Sequence, residues 1–395
     1  MKISCKNCGY PTTHPFGFSI IENICSGCLT HNEKYELNWS NRYDKLNEII
    51  KTTKNNKSKY DCIIPVIGDA EDYFVVSEVL KLKMNPLLVS VNSYFLNDIG
   101  WKNLHNLFTH FDLDSIVYNP DLITYKELIR TSMRKYNHML LPFLQLHTSF
   151  PVHYAEQKNI PLIIWGANQS VEQVGKFSHL DEVEMSKWSR KEHDLFNVDI
   201  DVLIGNGAQV NERHLNYYHY PKIQKLGKKV QGIYLSNYIP WDPLSQNCST
   251  INFGFIPQKN NTTFDVYERS GSSVYYGIHD LMKFERTGYR KLNDHIAREI
   301  RHKRLNSTQA KIILKEKEDN RVYIKPFFKW LGVTDSGYEW YLDHRIVRSK
   351  HLISNNPVIP NFSENILPSS IKELIGEAYD PKEEFIYYGK GIDIN

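Results

Sequence analysis

Two groups of residues have the type and spacing to do chemistry. The first is a pair of C-x2-C knuckles, Cys5-Lys6-Asn7-Cys8 and Cys25-Ser26-Gly27-Cys28, with sixteen residues between them. Each knuckle presents two thiolates from one tight turn, and the spacing falls within that of a four-cysteine zinc site. Four soft ligands with no open position make a closed structural centre, so Cys5, Cys8, Cys25 and Cys28 are expected to hold zinc. A module of thirty-odd residues buries little apolar surface, so the metal supplies much of its folding energy. Two paired knuckles fit metal binding better than a disulfide framework.

The second group is the turn Ile67-Gly68-Asp69-Ala70-Glu71-Asp72-Tyr73, which follows the apolar run Cys62-Ile63-Ile64-Pro65-Val66. Phe74, Val75, Val79, Leu80 and Leu82 then recur near helical spacing, so the stretch reads as strand, tight loop and helix. In open α/β sheets the loop after such a strand faces the ligand crevice, and amides at a helix start attract anions. Here Asp69, Glu71 and Asp72 put carboxylates where the anion would lie. Three readings stay open. A magnesium ion sits between the carboxylates and a phosphate; the turn is a pocket for a sugar's amine or hydroxyls; or the acids cap the helix and do no chemistry.

Positioning these groups requires a layered fold. Apolar runs at Cys62–Val66, Leu87–Val91, Ser115–Tyr118, Leu162–Trp165, Val202–Ile204 and Gly232–Leu235 read as strands. Helical stretches lie between them, notably 72–84, 98–110 and 123–158, the last broken into two or three by Pro142 and Pro151. The alternation predicts an α/β fold with a Rossmann-like parallel sheet covered on both faces. The chain then divides into a four-cysteine module (1–35), an α/β domain (36–240), a loop insertion with a helical C-terminal part (241–350) and a tail (351–395). Within 36–59 a helix carries Tyr43, Leu46, Ile49 and Ile50 on one face and ends in the polar linker Lys54–Lys59.

Further candidates cluster at strand ends and on one helix. Trp165, Gly166 and Asn168 end the fourth strand at the ligand edge of the sheet, with Glu172 in the same loop. Arg290, Arg298 and Arg301 fall near helical spacing with Asp294 between them. Guanidinium forks suit a nucleotide-sugar diphosphate or a sugar carboxylate, although a salt-bridged helix surface carries the same pattern.

Composition excludes some partners. The 395 residues carry 48 basic and 45 acidic side chains, a net charge of +3. That balance, without clustering, gives no electrostatic case for nucleic acid or an anionic membrane. No apolar run reaches the ~18–20 residues of a membrane span. The first residues lack a signal peptide's apolar stretch, so a cytoplasmic location is expected.

In order along the chain, several segments resemble the N-acetyl sugar amidotransferases of bacterial surface-polysaccharide and flagellin-sugar pathways. They are the paired knuckles, the Tyr60-Asp61-Cys62 strand into a Gly loop, Asn85-Pro86-Leu87-Leu88-Val89 and Gly100-Trp101-Lys102-Asn103-Leu104. Then come Ile160–Asn168, Tyr234-Leu235-Ser236-Asn237-Tyr238 with Trp241-Asp242, and Arg290–Arg304. The similarity runs over roughly residues 1–345. It implies a PP-loop ATP pyrophosphatase fold, ATP and magnesium as reactants, and ammonia from a separate glutaminase subunit. The implied reaction turns a sugar acetamido group into an acetamidino group through an adenylate. It also implies that Ile67, Gly68, Tyr73, Asn92, Trp165, Gly166 and Asn168 hold the nucleotide. Asp69, Glu71, Asp72 and Glu172 would act in catalysis, and Arg290, Asp294, Arg298 and Arg301 on the sugar. The chain departs from the S-G-G-x-D-S loop of that fold: the six positions read Ile67, Gly68, Asp69, Ala70, Glu71 and Asp72, and only the first Gly is kept. Two functions follow: an ATP-dependent sugar amidotransferase, or a relative that binds a sugar or partner without hydrolysing ATP.

Overall fold

The computed structural model describes residues 4–11, 19–54, 58–221, 230–359 and 363–376. Its centre is a five-stranded parallel sheet: β1 (Cys62–Val66), β2 (Pro86–Val91), β3 (Ser115–Tyr118), β4 (Leu162–Trp165) and β5 (Gln231–Tyr234). The spatial order is β3-β2-β1-β4-β5, so the order reverses between β1 and β4. Ile63 pairs with Leu87 on one side and with Ile163 on the other. The expected α/β class, the cysteine module and the helical C-terminal part are all present.

Strand alternation divides the core in two. Ile63, Leu87, Val89 and Ile163 pack against α5 (Leu122–Tyr136) and α6 (Leu141–Lys158). Cys62, Ile64, Val66, Leu88 and Ile164 pack against α2 (Trp39–Thr53), α3 (Ala70–Lys81) and α4 (Asp98–His110) on the other face. The region 123–158 is thus two helices, with Pro142 in the first turn of α6, where no donor is lost. Side chains of Asn97 and Asp121 accept the amides of Gly100 and Thr124 and set the starts of α4 and α5.

The C-terminal part joins both faces. From α7 (Tyr276–Thr287), Ile278, Leu281 and Met282 enter the first core; from α8 (Lys291–Arg301), Leu292 and Ile296 enter the second. The pair therefore spans the carboxyl edge of the sheet, where a crevice opens. The cysteine module, which ends in α1 (Ser26–Glu33), docks on the same pair: Tyr10 and the four cysteines share a cluster with Tyr289 and Ala297.

Some expectations change. Val202–Ile204 is helical, within Ile200–Gly205, because Asp199 accepts the Val202 amide and starts a turn that a three-residue apolar run cannot reveal. In α2 the buried face is Arg42, Leu46 and Ile50, while Tyr43 is exposed. Arg42 is drawn in by the carbonyls of His179 and Asn237. In the tail, helix Ser369–Ile375 buries Ile371 and Ile375. Residues 377–395, part of the expected tail, and residues 55–57 of the expected linker lie outside the described residues.

Gly68 holds a left-handed φ of +87°, and a Cβ there would lie 2.8 Å from the Leu104 amide nitrogen. Gly68→Ala should therefore destabilise the fold by about 2–3 kcal/mol. The check is a lowered denaturation midpoint at unchanged m-value.

Candidate functional site

A cavity of about 370 Å³ opens at the carboxyl ends of β1 and β4, at the reversal of strand order. Its floor is the turn after β1, with Ile67, Asp69, Glu71 and Asp72, and the end of β4, with Trp165, Gly166 and Ala167. Its roof is Glu268 and Arg269 with Lys283 of α7 and Lys291 and Asp294 of α8. A chamber of about 110 Å³ shares Asp69, Glu71, Glu268, Lys291 and Asp294 as lining. It adds His31 and Lys34 from the cysteine module, Glu172, Trp241, Arg298 and Arg301.

The three acids of the turn face three different partners. Asp72 reaches back, and its Oδ2 accepts the amides of Ile67 at 2.7 Å, Gly68 at 2.8 Å and Asp69 at 3.0 Å. Those amides form the concavity that would otherwise hold an anion. Glu71 crosses to β4, where Oε1 accepts the Ala167 amide at 2.9 Å. A Cβ at Gly166 would push that carboxylate aside, so the bond to Ala167 depends on the glycine. Asp69 starts α3 and lies 3.9 Å from Nε of Arg269. An ion held among all three carboxylates, one of the three open readings, is therefore not prepared: Asp72 and Glu71 are spent on backbone amides, which leaves Asp69 beside Arg269. Among the described residues, the cysteines are the set of three or more His, Cys, Asp or Glu that converge as metal ligands.

Burial sets the protonation of these groups. Desolvation pushes Glu71 up to about 7 against the pull of the Ala167 amide. It pushes Asp72 up to about 6 against three amide bonds. Burial also raises Asp69 well above the carboxylate range, opposed by Arg269. His147, on the cavity wall, is pushed down to about 3 by burial and is neutral.

The other sequence candidates divide between the two cavities and the packing around them. Trp165 and Gly166 line the large cavity, and Glu172 lines the chamber, paired with Lys34 and 3.8 Å from Nε2 of His179. Asp294 accepts from Tyr10 and Lys283 at the boundary of both. Arg298 reaches the chamber but is held by Asp265 at 2.8 Å and Glu299 at 2.5 Å. Five residues are not brought to either cavity, the first being Gly68, whose amide is spent on Asp72. Tyr73 is fully buried, its hydroxyl on the Asn103 carbonyl. Asn92 donates to Asn119 and accepts the Tyr94 amide. Asn168 caps the turn after β4 and donates to the Val183 carbonyl. Arg290 pairs with Asp280 at 2.7 Å. Lys34, Glu268, Arg269, Lys283 and Lys291 were not singled out by sequence. They sit in loops or on helices without a motif, and only α8's charge density pointed near them.

The four cysteine sulfurs all lie within 4.8 Å of one another, with Cys5–Cys28 at 3.9 Å and Cys8–Cys25 at 3.6 Å. Sulfurs about 2.3 Å from a tetrahedral metal stand about 3.8 Å apart, so the set fits one ion. Arg301 braces it: Nη1 donates to the Gln173 carbonyl at 2.6 Å, and Nη2 lies 3.8 Å from Cys25 Sγ.

The raised Glu71 gives a pH prediction. Its folded pKa lies above its unfolded value, so the stability it contributes is complete below the unfolded value and lost as pH rises through about 7. Glu71→Gln should thus gain stability relative to wild type between about pH 5 and 8. Paired urea titrations test this, since histidine contributions cancel in the difference; a pH-independent difference would refute it.

Comparison with known proteins adds family information. Residues 259–363 match the family described as LPS biosynthesis protein WbpG-like, C-terminal domain. The uncharacterized protein MJ1599 of Methanocaldococcus jannaschii is 29% identical over 114 residues, 28% of this chain and 39% of that protein. The match thus spans well under half of that relative's length. The structure of NMN synthetase from Francisella tularensis aligns over 46% of this chain and 92% of that one, at 14% identity and a TM-score of 0.28. Glu268, Arg269, Lys283, Lys291 and Asp294 all fall within 259–363, so the roof of the cavity is built from the stretch that is similar to lipopolysaccharide-biosynthesis proteins.

Proposed function

We propose that the chain is an ATP-dependent amidotransferase of surface-glycan biosynthesis that converts the acetamido group of an N-acetylated sugar or nucleotide-sugar into an acetamidino group. One observation carries the reading. The crevice at the strand reversal, the usual ligand site of an open α/β sheet, is roofed by the lipopolysaccharide-biosynthesis-like stretch.

In this reading the amide oxygen of the sugar attacks the α-phosphorus of magnesium-bound ATP, and pyrophosphate leaves. Ammonia, delivered by a separate glutaminase subunit, then attacks the activated carbon. AMP departs with the former amide oxygen, and the acetamidino group remains. Glu71, held near neutrality by burial, is suited to take the proton that ammonia loses. Lys291 and Glu268, 2.9 Å apart, give the adjoining wall a donor and an acceptor for the sugar. Zinc in the four-cysteine site plays no chemical part; it fixes the module that brings His31 and Lys34 to the chamber.

A second reading rests on Asp72, whose carboxylate fills the amide concavity of the turn. On that reading the cavity binds a sugar or partner without ATP turnover. Incubation with ATP, magnesium, ammonium and N-acetylated sugars carrying ¹⁸O in the acetamido group separates the two. The enzyme reading expects AMP bearing the label, together with pyrophosphate. Sugar binding by calorimetry without either product favours the second.

The metal site has its own test. Cys28→Ser should lose one equivalent of zinc by elemental analysis and lower the melting temperature by several degrees. A variant that melts like wild type would show that the module folds without the ion.

A further inference from the structure

We propose that Arg269 is the phosphate anchor of the large cavity, standing in for the turn amides that Asp72 occupies. The inference rests on the cavity being the ligand site of the proposed function, but it concerns phosphate recognition rather than the reaction.

It comes from the fate of the cations that line the two cavities. Lys34 pairs with Glu172, Lys283 with Asp294 and Lys291 with Glu268. Arg298 is held by Asp265 and Glu299, and Arg286 and Arg301 donate to the carbonyls of Asn137 and Gln173. Arg269 differs. Among the described residues its guanidinium makes no hydrogen bond; its nearest carboxylate, Asp69, is 3.9 Å away, beyond hydrogen-bond length. The side chain is 30% exposed and lines the cavity beside Ile67 and Asp69 of the turn, with Tyr276 under the guanidinium at 6.0 Å.

Three observations converge on that group. The amides that would meet a phosphate already hold a carboxylate. The lysines of the cavity wall are spent on Glu268 and Asp294, so beside Asp69 and Glu71 they leave an anion no free cation. The Arg269 guanidinium at the turn, paired with Asp69 at 3.9 Å but spent on no hydrogen bond, supplies that cation, and its fork matches two phosphate oxygens. The phosphate belongs to a nucleoside triphosphate or to the diphosphate of a nucleotide-sugar.

The test is calorimetric titration of the full chain with ATP, adenosine, pyrophosphate and UDP-N-acetylglucosamine, in wild type and Arg269→Gln. The variant should lose about tenfold to a hundredfold in affinity for the phosphate-bearing ligand that wild type binds, with any adenosine affinity unchanged. Whichever of ATP and the nucleotide-sugar shows the loss identifies the source of the phosphate. A wild-type chain that binds no phosphate ligand, or a folded variant that binds within threefold of wild type, overturns the anchor. Arginine modification by phenylglyoxal on the wild-type chain, read by peptide mass spectrometry, requires no variant. Pyrophosphate should slow modification at Arg269, and an unchanged rate also overturns it. If pyrophosphate binding depends on Arg269 while no sugar yields AMP, the anchor stands and the amidotransferase reading falls.

Discussion

Three backbone amides at the end of β1 converge on one side-chain oxygen, and the site follows from that convergence. A strand that ends in a tight turn before a helix leaves its first amides unpaired. They must be satisfied by water, a ligand or the chain itself. Here Asp72 satisfies all three. The turn is thereby rigid without a bound anion, and the carboxylate is held where burial alone would neutralise it. Glu71, one residue earlier, leaves the helix on another side and ties the start of α3 to the end of β4 through the Ala167 amide. The acids that made the turn look hostile to phosphate are therefore part of its framework.

The roof pairs most of its own charge. Lysines of α7 and α8 meet Asp294 and Glu268 within it, so that charge is spent inside the wall. Buried pairs of this kind add little net stability, because desolvation offsets their attraction. Their value lies in fixed geometry: each head group has one place to be.

Much of the architecture was legible in the sequence, because apolar runs bounded by turn residues mark buried strands, and Cys62–Val66 and Leu162–Trp165 are clear examples. The knuckles were legible because metal chemistry fixes both residue type and spacing. The acidic turn was located correctly, but the direction of Glu71 was not, since its partner, the Ala167 amide, lies 96 residues on. Val202–Ile204 misled because a short apolar run fits helix and strand equally. Arg290 and Arg301 share helical spacing, yet one pairs with Asp280 and the other braces the cysteines. Periodicity gives a face, not a neighbour. Arg269 had no sequence signal: it lies in an aperiodic loop whose place over β1 is set by packing.

The docking of the cysteine module has a consequence for the order of synthesis. Tyr10 bonds Asp294, and Gly27 lies against Arg301, so the knuckles meet their partners only after some 284 further residues have been translated. At about 5–20 residues per second the knuckles wait roughly 15–60 seconds for that surface. A module that folds by capturing an ion can remain ordered through the interval, which a small apolar core could not do.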